Sequence, residues 1–379
     1  MRSPIAKTAT RTASSGAAKV KTVNLALQGG GSHGAYTWGV LDALSEDERI
    51  AIAGVSGASA GAMNAVVFAA GFDGGGREGG RARLKDFWRS VSAEGSLGPP
   101  ARRFADAWFS AWGRFFPAAR SLGAWTDALL DLMSPYEFNP LNVNPLRAHL
   151  EAAVDFERLR AGDDIKLFVA ATNVRTGRGE IFRRDILTAD HVMASACLPQ
   201  LFQAVRIGEE IYWDGGYAGN PPLWPLFYET KCNDAIIVQI NPVEREETPK
   251  APEDIVNRVN EVTFNASLLA ELRAADFVAR LITSGVLRSP DYRLERLHRI
   301  GGAGRLERYD ASTKFDVSWP FLETLRALGY EDAKTWLEEN FDAIGVESTL
   351  DIDRTLMREP GKEPLRGAPA RKRRAEALD

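Results

Sequence analysis

The chain has 379 residues, of which 45% are hydrophobic and 26% charged, and its formal net charge is −4. This composition is typical of a globular protein, and the length suffices for one large α/β domain or two smaller ones. The two cysteines, Cys197 and Cys232, exclude a disulfide framework and fit a reducing compartment such as the cytoplasm. No apolar run reaches the roughly 18 residues that a transmembrane helix needs.

The basic residues are concentrated at the two ends of the chain. Residues 1–21 hold five basic residues and no acidic one, and residues 358–379 hold seven basic against four acidic residues. The body between them is acidic, which argues against a nucleic-acid-binding face. We expect 1–20 and 358–379 to be disordered and solvated, although basic ends also suit peripheral contact with an anionic membrane, and the leader loosely resembles a transit peptide.

Strand-like and helix-like segments alternate from residue 22 onwards. A first strand is predicted at 22–28, a helix with 3.6-residue spacing at 35–46, and a second, buried strand at 49–55. A helix of small and apolar residues follows at 60–70. The glycine-rich run 71–80 predicts a flexible loop.

The remaining segments continue this alternation after a helical, aromatic-rich insert at about 81–135. The predicted elements are a loop at 134–145, a helix at 146–160, strands at 165–173 and 180–183, a helix at 189–198, a hairpin at 205–212, a strand at 234–240, and helices at 251–287 and 318–340. Together they predict a three-layer α/β/α fold with a mostly parallel central sheet. We expect one domain over 21–357, with a helical C-terminal part at about 251–345.

The first segment that could take part in catalysis is the glycine-rich turn after the first strand, Gln28 to Gly34. Consecutive glycines let backbone N–H groups converge on one point, because no side chain blocks the approach, and such groups form oxyanion holes. The same glycines also fit the dinucleotide fingerprint G-x-G-x-x-G. That alternative requires an acidic residue at the end of the next strand, and none is present there.

The second segment is Gly57-Ala58-Ser59-Ala60-Gly61, which lies between the second strand and the next helix. A G-x-S-x-G in this position is typical of a nucleophile elbow, a turn so tight that it admits only glycine two residues either side of the serine. The helix N-terminus beneath Ser59 favours developing negative charge. The alternative is a structural serine at a glycine-lined helix start.

The third segment is Trp213-Asp214-Gly215-Gly216, at the end of the predicted hairpin. Two glycines after an aspartate predict a tight turn with the Asp214 carboxylate facing outward. Taken alone, the pattern also fits an aspartate that binds its own backbone.

In this order the three segments resemble the patatin-like phospholipase family, and the stretches 170–177 and 194–202 resemble it too. The resemblance covers about residues 22–240. It implies an acyl-ester lipid substrate and a dyad in which Ser59 is the nucleophile and Asp214 the base. No metal-ligand cluster is visible in the sequence, so we expect no metal requirement, and we expect no cofactor. The oxyanion hole would be formed by the backbone N–H groups of Gly29, Gly30, Gly31 and Ala60.

Several alternatives stay open. His33 occupies a position where the family usually has Arg or Lys, and is either a titratable group beside the oxyanion site or a packed structural residue. The chain order Ser59, Asp214, His298 also fits a triad esterase. A third alternative is a catalytically silent lipid-binding or scaffold protein on the same fold.

The aromatic insert also has two interpretations. Its aromatic residues recur on one predicted helical face and fit either a helix packed on the sheet, or a lid or membrane-docking helix. These residues are Phe104, Trp108, Trp112 and Phe115.

Overall fold

The computed structural model describes residues 20–92, 134–245, 248–250, 252–301, 305–309 and 311–355. These residues contain an eight-stranded sheet. The strands are β1 Lys21–Leu27, β2 Ile50–Gly57, β3 Lys166–Asn173, β4 Gly179–Arg183, β5 Val205–Ile207, β6 Glu210–Asp214, β7 Asp234–Gln239 and β8 Arg296–Gly301.

The sheet is mostly parallel, as the sequence predicts. Its strand order is β5-β6-β3-β2-β1-β7-β8, with β4 paired to β3 off this path. The run from β3 to β8 is parallel, whereas β4, β5 and β6 are antiparallel additions at the β3 side. The central strands β1, β3 and β7 are apolar and buried along nearly their whole length, because helices cover both faces of the sheet.

The described helices are α1 Gly34–Glu46, α2 Ala60–Val91, α3 Pro135–Phe138, α4 Pro145–Ala153, α5 Phe156–Ala161, α6 Ala189–Ser195, α7 Trp224–Glu229, α8 Pro252–Thr283, α9 Trp319–Asn340 and α10 Ile352–Thr355. Leu25 and Leu27 of β1 face a core built with α1, α2 and α9, whereas Ala26 faces a second core built with α7 and α8. The three-layer α/β/α architecture is therefore confirmed.

The prediction of a flexible loop at 71–80 is wrong, because helix α2 continues through this run. Two helical arms meet at a kink where Gly75 and Gly76 leave helical geometry, and Gly76 has a φ of 59°. The arms pack so closely that a side chain on Gly71 would lie 2.3 Å from the carbonyl oxygen of Gly79. The glycines that weaken a helix in isolation permit this close packing.

Two other boundaries differ from the sequence prediction. The expected loop 134–145 contains the short helix α3, which Ser134 begins with a capping box to Glu137. The expected helix 146–160 is two helices, because Asp155 caps a new start with its carboxylate on the amides of Glu157 and Arg158. Helix α6 ends at Ser195, a few residues before its predicted end.

The expected disordered ends and most of the aromatic insert lie outside the described residues. Residues 81–91 of the insert belong to α2, and its four aromatic residues at 104, 108, 112 and 115 are not described. No helix in the described part of the chain is long and apolar enough to cross a bilayer.

The parallel strands bring three loops to one edge of the sheet. In the register Leu27 pairs with Gly57 on one side and with Val238 on the other, so that β1, β2 and β7 end at the same level. The glycine-rich turn, the elbow and the segment after β7 therefore meet at the carboxyl edge, where parallel sheets form their sites.

Candidate active site

Ser59 occupies a strained turn between β2 and α2. Its φ of 53° lies in the left-handed region, which non-glycine residues seldom adopt. The glycines around it have no room for a side chain: a Cβ on Gly57 would lie 2.6 Å from the Gly61 carbonyl carbon, and one on Gly61 would lie 2.1 Å from the Leu27 carbonyl oxygen. The close approach predicted for the elbow is thus present, and it holds a half-buried Ser59 at the sheet edge.

Asp214 reaches the same edge on the antiparallel strand β6. It pairs with Ala171 of β3, two residues beyond Val169, and Val169 pairs with Gly57. Ser59 likewise lies two residues beyond Gly57. The strand register therefore brings the two side chains to the same level on either side of β3, although they are about 155 residues apart in sequence.

The Asp214 carboxylate is fully buried, and not facing outward as the sequence analysis expects. After Asp214 the chain folds back over β3, so that a side chain on Gly215 would lie 2.1 Å from the Ala170 carbonyl oxygen. Phe264 of α8 packs against Gly216 from the other side, within 2.9 Å of where its Cβ would be. These two contacts close the turn against solvent.

Burial controls the acidity of this carboxyl. Oδ1 accepts a hydrogen bond from the Gly216 amide at 2.7 Å, whereas Oδ2 is without a well-formed hydrogen bond among the described residues. Burial raises the pKa of Asp214 from 3.8 to about 7, against the lowering effects of the Gly216 amide and the Ser59 hydroxyl. The Ser59 hydroxyl is thus close enough to act on this carboxyl.

The glycine-rich turn is held by two asparagines that the motifs do not include. The Gly29 amide donates to Asn220 Oδ1 at 2.6 Å, and the Gly29 carbonyl accepts from Asn241 Nδ2 at 2.7 Å. The Gly29 amide is therefore engaged within the protein, contrary to its predicted place in the oxyanion hole. For the amides of Gly30 and Gly31 no acceptor is present within the described residues, which leaves them available to a ligand.

Gln28 connects these asparagines to the sheet. Its Oε1 accepts from the amides of Ile240 and Asn241, and its Nε2 donates to Asn265 of α8 at 2.9 Å. No local pattern in the sequence indicates this network, since its partners lie more than 190 residues from the glycine-rich turn.

His33 is a structural residue. It is 2% exposed, and its Nε2 lies 2.8 Å from Thr313 Oγ1. Burial, followed by the charge of Lys314, lowers the pKa of His33 to about 3. The imidazole is therefore neutral at physiological pH, and the alternative of a titratable group beside the oxyanion site is not supported.

His298 lies away from Ser59 and Asp214, so the proposed triad is wrong. It is on β8, three strands from β2, which corresponds to about 14 Å across the sheet. Its Nε2 contacts Asp234 Oδ1 at 3.1 Å and its Nδ1 contacts Thr349 Oγ1 at 3.0 Å. Both ring nitrogens thus have partners, and the contact with Thr349 links the C-terminal segment to the sheet.

Among the described residues, no three side chains of His, Cys, Asp or Glu are grouped so that they could hold a metal ion. Both cysteines are buried and free. Burial raises the pKa of the Cys197 thiol to about 12, so it is not a nucleophile.

The fold and the site define a class: α/β proteins that present a serine at a strained elbow, next to a buried aspartate, at the carboxyl edge of a mainly parallel sheet. Residues 25–227, more than half of the chain, match the family described as Patatin-like phospholipase. The chain therefore belongs to the patatin-like phospholipase family, a family of lipid hydrolases.

Two solved structures are similar to this chain at low sequence identity. VipD from Legionella pneumophila has 17% identity over 84% of this chain and 67% of its own, with a TM-score of 0.37. ExoU, in its heterodimer with SpcU from the type III secretion system of Pseudomonas aeruginosa, has 16% identity over 86% of this chain and 53% of its own, with a TM-score of 0.36. This chain thus spans about two thirds of the first and about half of the second. No curated protein sequence matches it.

Proposed function

We propose that this protein hydrolyses carboxylic esters of lipids with Ser59 as the nucleophile and Asp214 as the general base. The observation that carries the proposal is the fully buried Asp214 carboxyl, which has one oxygen without a well-formed partner and lies near the Ser59 hydroxyl. A pKa of about 7 suits a group that must take up a proton and give it back near neutral pH.

In the proposed reaction Asp214 accepts the hydroxyl proton of Ser59 while the serine oxygen attacks the ester carbonyl. The negative charge on the carbonyl oxygen is stabilised by the amides of Gly30, Gly31 and Ala60, with the N-terminus of α2 behind them. Protonated Asp214 then gives its proton to the departing alcohol, which leaves an acyl group on Ser59. Water, deprotonated by Asp214, releases the fatty acid and restores the serine.

The proposed substrate is an acyl-ester lipid, met at a membrane surface in the cytoplasm. Family membership supports the lipid, and helix α8 supports the surface contact. Ile255, Val259 and Val262 recur on one side of α8 and are each about half exposed. The same helix reaches the site, since its Phe264 packs against the turn after Asp214.

Fatty-acid release from phospholipid vesicles and from a dissolved short-chain ester tests the proposal. We expect release by the wild type, and a loss of at least about a thousandfold in Ser59→Ala and in Asp214→Asn. Ser90→Ala and Asp86→Asn are matched controls and should keep full activity, since the Ser90 hydroxyl donates to the Phe87 carbonyl and Asp86 is exposed to solvent. Faster release from vesicles than from the dissolved ester would support the surface contact.

Two results would contradict the proposal. Activity retained by Asp214→Asn would remove this carboxyl from the mechanism. An absence of release by a folded wild type on both substrates would favour the silent lipid-binding protein.

A further inference from the structure

A lysine from the C-terminal part of the chain lies against the glycine-rich turn. Residues Ala311–Phe315 form a 3₁₀ turn that packs on residues 31–33. The Lys314 carbonyl oxygen is so close to Gly31, whose φ is 59°, that a Cβ there would lie 2.3 Å from it. The Lys314 ammonium donates to Asn241 Oδ1 at 2.7 Å. Lys314 is thus in contact with the turn through its backbone and with Asn241 through its side chain.

Asn241 continues this contact to the backbone of the turn. Its Oδ1 accepts from Lys314 Nζ, and its Nδ2 donates to the Gly29 carbonyl oxygen at 2.7 Å. The Gly29 carbonyl and the Gly30 amide belong to one planar trans peptide, in which C=O and N–H point in opposite directions. A carbonyl held towards Asn241 therefore directs the Gly30 N–H away from Asn241. A hydrogen bond accepted by the carbonyl also polarises that N–H and makes it a stronger donor.

We infer that Lys314 is a positioning residue which, through Asn241, orients and polarises the Gly30 N–H that receives the oxyanion. This inference rests on the proposed hydrolase function. The positive charge near the proposed oxyanion hole then comes from Lys314, which lies about 280 positions after the glycine-rich turn in the sequence.

The charges around Lys314 favour this role over that of a simple ion pair. Glu261 of α8 is an opposite charge that acts on Lys314, but its carboxylate is already bound by Arg245 and Arg258. Lys314 is partly buried, and its ammonium donates to Asn241 within the protein. Desolvation lowers the pKa of Lys314 to about 8, with Arg245 lowering and Glu261 raising it. The neutral imidazole of His33 adds no charge to the turn.

Lys314→Met removes the ammonium and keeps the length of the side chain. We expect kcat to fall about tenfold to hundredfold with KM nearly unchanged, because a weakened donor costs less than the hundredfold or more that follows loss of a whole one. The wild-type rate should also decline above a pH of about 8, where the ammonium loses its proton, and Lys314→Arg should keep its rate there. Lys334→Met, which removes a lysine at the surface of α9, is the control. It should change neither kcat nor the decline of the rate above pH 8.

We call the chain of hydrogen bonds from Lys314 through Asn241 to the Gly29 carbonyl the Lys314–Asn241 relay. Asn241→Asp breaks this relay and leaves the lysine charge in place. An aspartate still accepts from Lys314 but cannot donate to the Gly29 carbonyl, so kcat should fall at least as far as in Lys314→Met. The double variant should lose little more than either single variant, since the two residues act in series. Unchanged kcat in a folded Lys314→Met, with Ser59→Ala inactive, would overturn the inference and leave the proposed function standing.

A measurement without turnover tests the same relay. With glycine-selective ¹⁵N labelling, and the Gly30 signal assigned from a Gly30→Ala variant, the Gly30 amide should shift with pH around a midpoint near 8. That shift should vanish in Lys314→Met and stay in Lys334→Met. A Gly30 signal that does not respond to pH would refute the inference even if the protein releases no fatty acid.

Discussion

In the proposed mechanism the rate of ester hydrolysis depends on pH through the burial of Asp214. Only the carboxylate can take the Ser59 proton, and burial raises the pKa of this group to about 7. The carboxylate fraction is then about 10% at pH 6 and about 1% at pH 5. We therefore expect kcat/KM to fall about tenfold for each pH unit below 7. An ordinary aspartate, with a pKa of 3.8, would cause almost no loss down to pH 5.

Acid unfolding does not account for this loss. Because the pKa of Asp214 is higher in the folded than in the unfolded chain, the folded state binds more protons between about pH 4 and pH 7. The stability that Asp214 contributes is therefore full below about pH 4 and is lost as the pH rises through 7. The melting temperature measured at pH 5 should show a folded protein whose activity is low.

The assay is initial fatty-acid release from a dissolved ester between pH 4.5 and 8, with the melting temperature measured at each point. Glu295→Gln is the matched control, because burial also raises the pKa of Glu295 to about 7 but the residue lies just before β8, away from Ser59. In this control the decline of kcat/KM at acid pH (the acid limb) should keep its midpoint near pH 7. An acid limb near pH 4, or one that moves in Glu295→Gln, would refute the assignment to Asp214.

Two further substitutions test the elbow and the triad. Gly61→Ala places a methyl group 2.1 Å from a main-chain carbonyl of β1, so we expect loss of soluble protein or a strongly lowered melting temperature, and a normal melting curve would contradict the geometry. His298→Ala removes the contact with Asp234 and should lower the free energy of unfolding by about 1–3 kcal/mol. Its folded fraction should keep kcat within a few-fold, and a loss of about a thousandfold would restore the triad.

The features that depend on local chain geometry could be predicted from the sequence. The spacing of Gly57 and Gly61 around Ser59 predicts a turn without room for side chains, and the backbone has it. Buried apolar runs alternating with helical spacing predict a mostly parallel sheet between two helical layers, and most strand ends agree within two residues. These properties follow from neighbours within a few positions, which a sequence displays directly.

The features that depend on distant contacts could not be predicted in this way. A glycine-rich run such as 71–80 predicts a loop when the segment that packs against it is unknown. Here Gly71 packs against Gly79 of the same helix. The roles of Asn220, Asn241 and Lys314 arise only when segments separated by about 70 to 280 positions meet at one edge of the sheet. Single asparagines and lysines have no pattern that marks them in advance.

This difference bears on the choice between an active hydrolase and a silent protein with the same motifs. The position of Ser59 is set by its own turn, whereas the basicity of Asp214 is set by its burial. Phe264 of α8, about 50 residues later, contributes to that burial by packing against Gly216. Opening that cover would return the carboxyl towards its ordinary pKa and leave every motif intact. The three motifs are therefore necessary but not sufficient for the proposed chemistry. The buried carboxyl beside Ser59, which the motifs do not specify, favours the hydrolase.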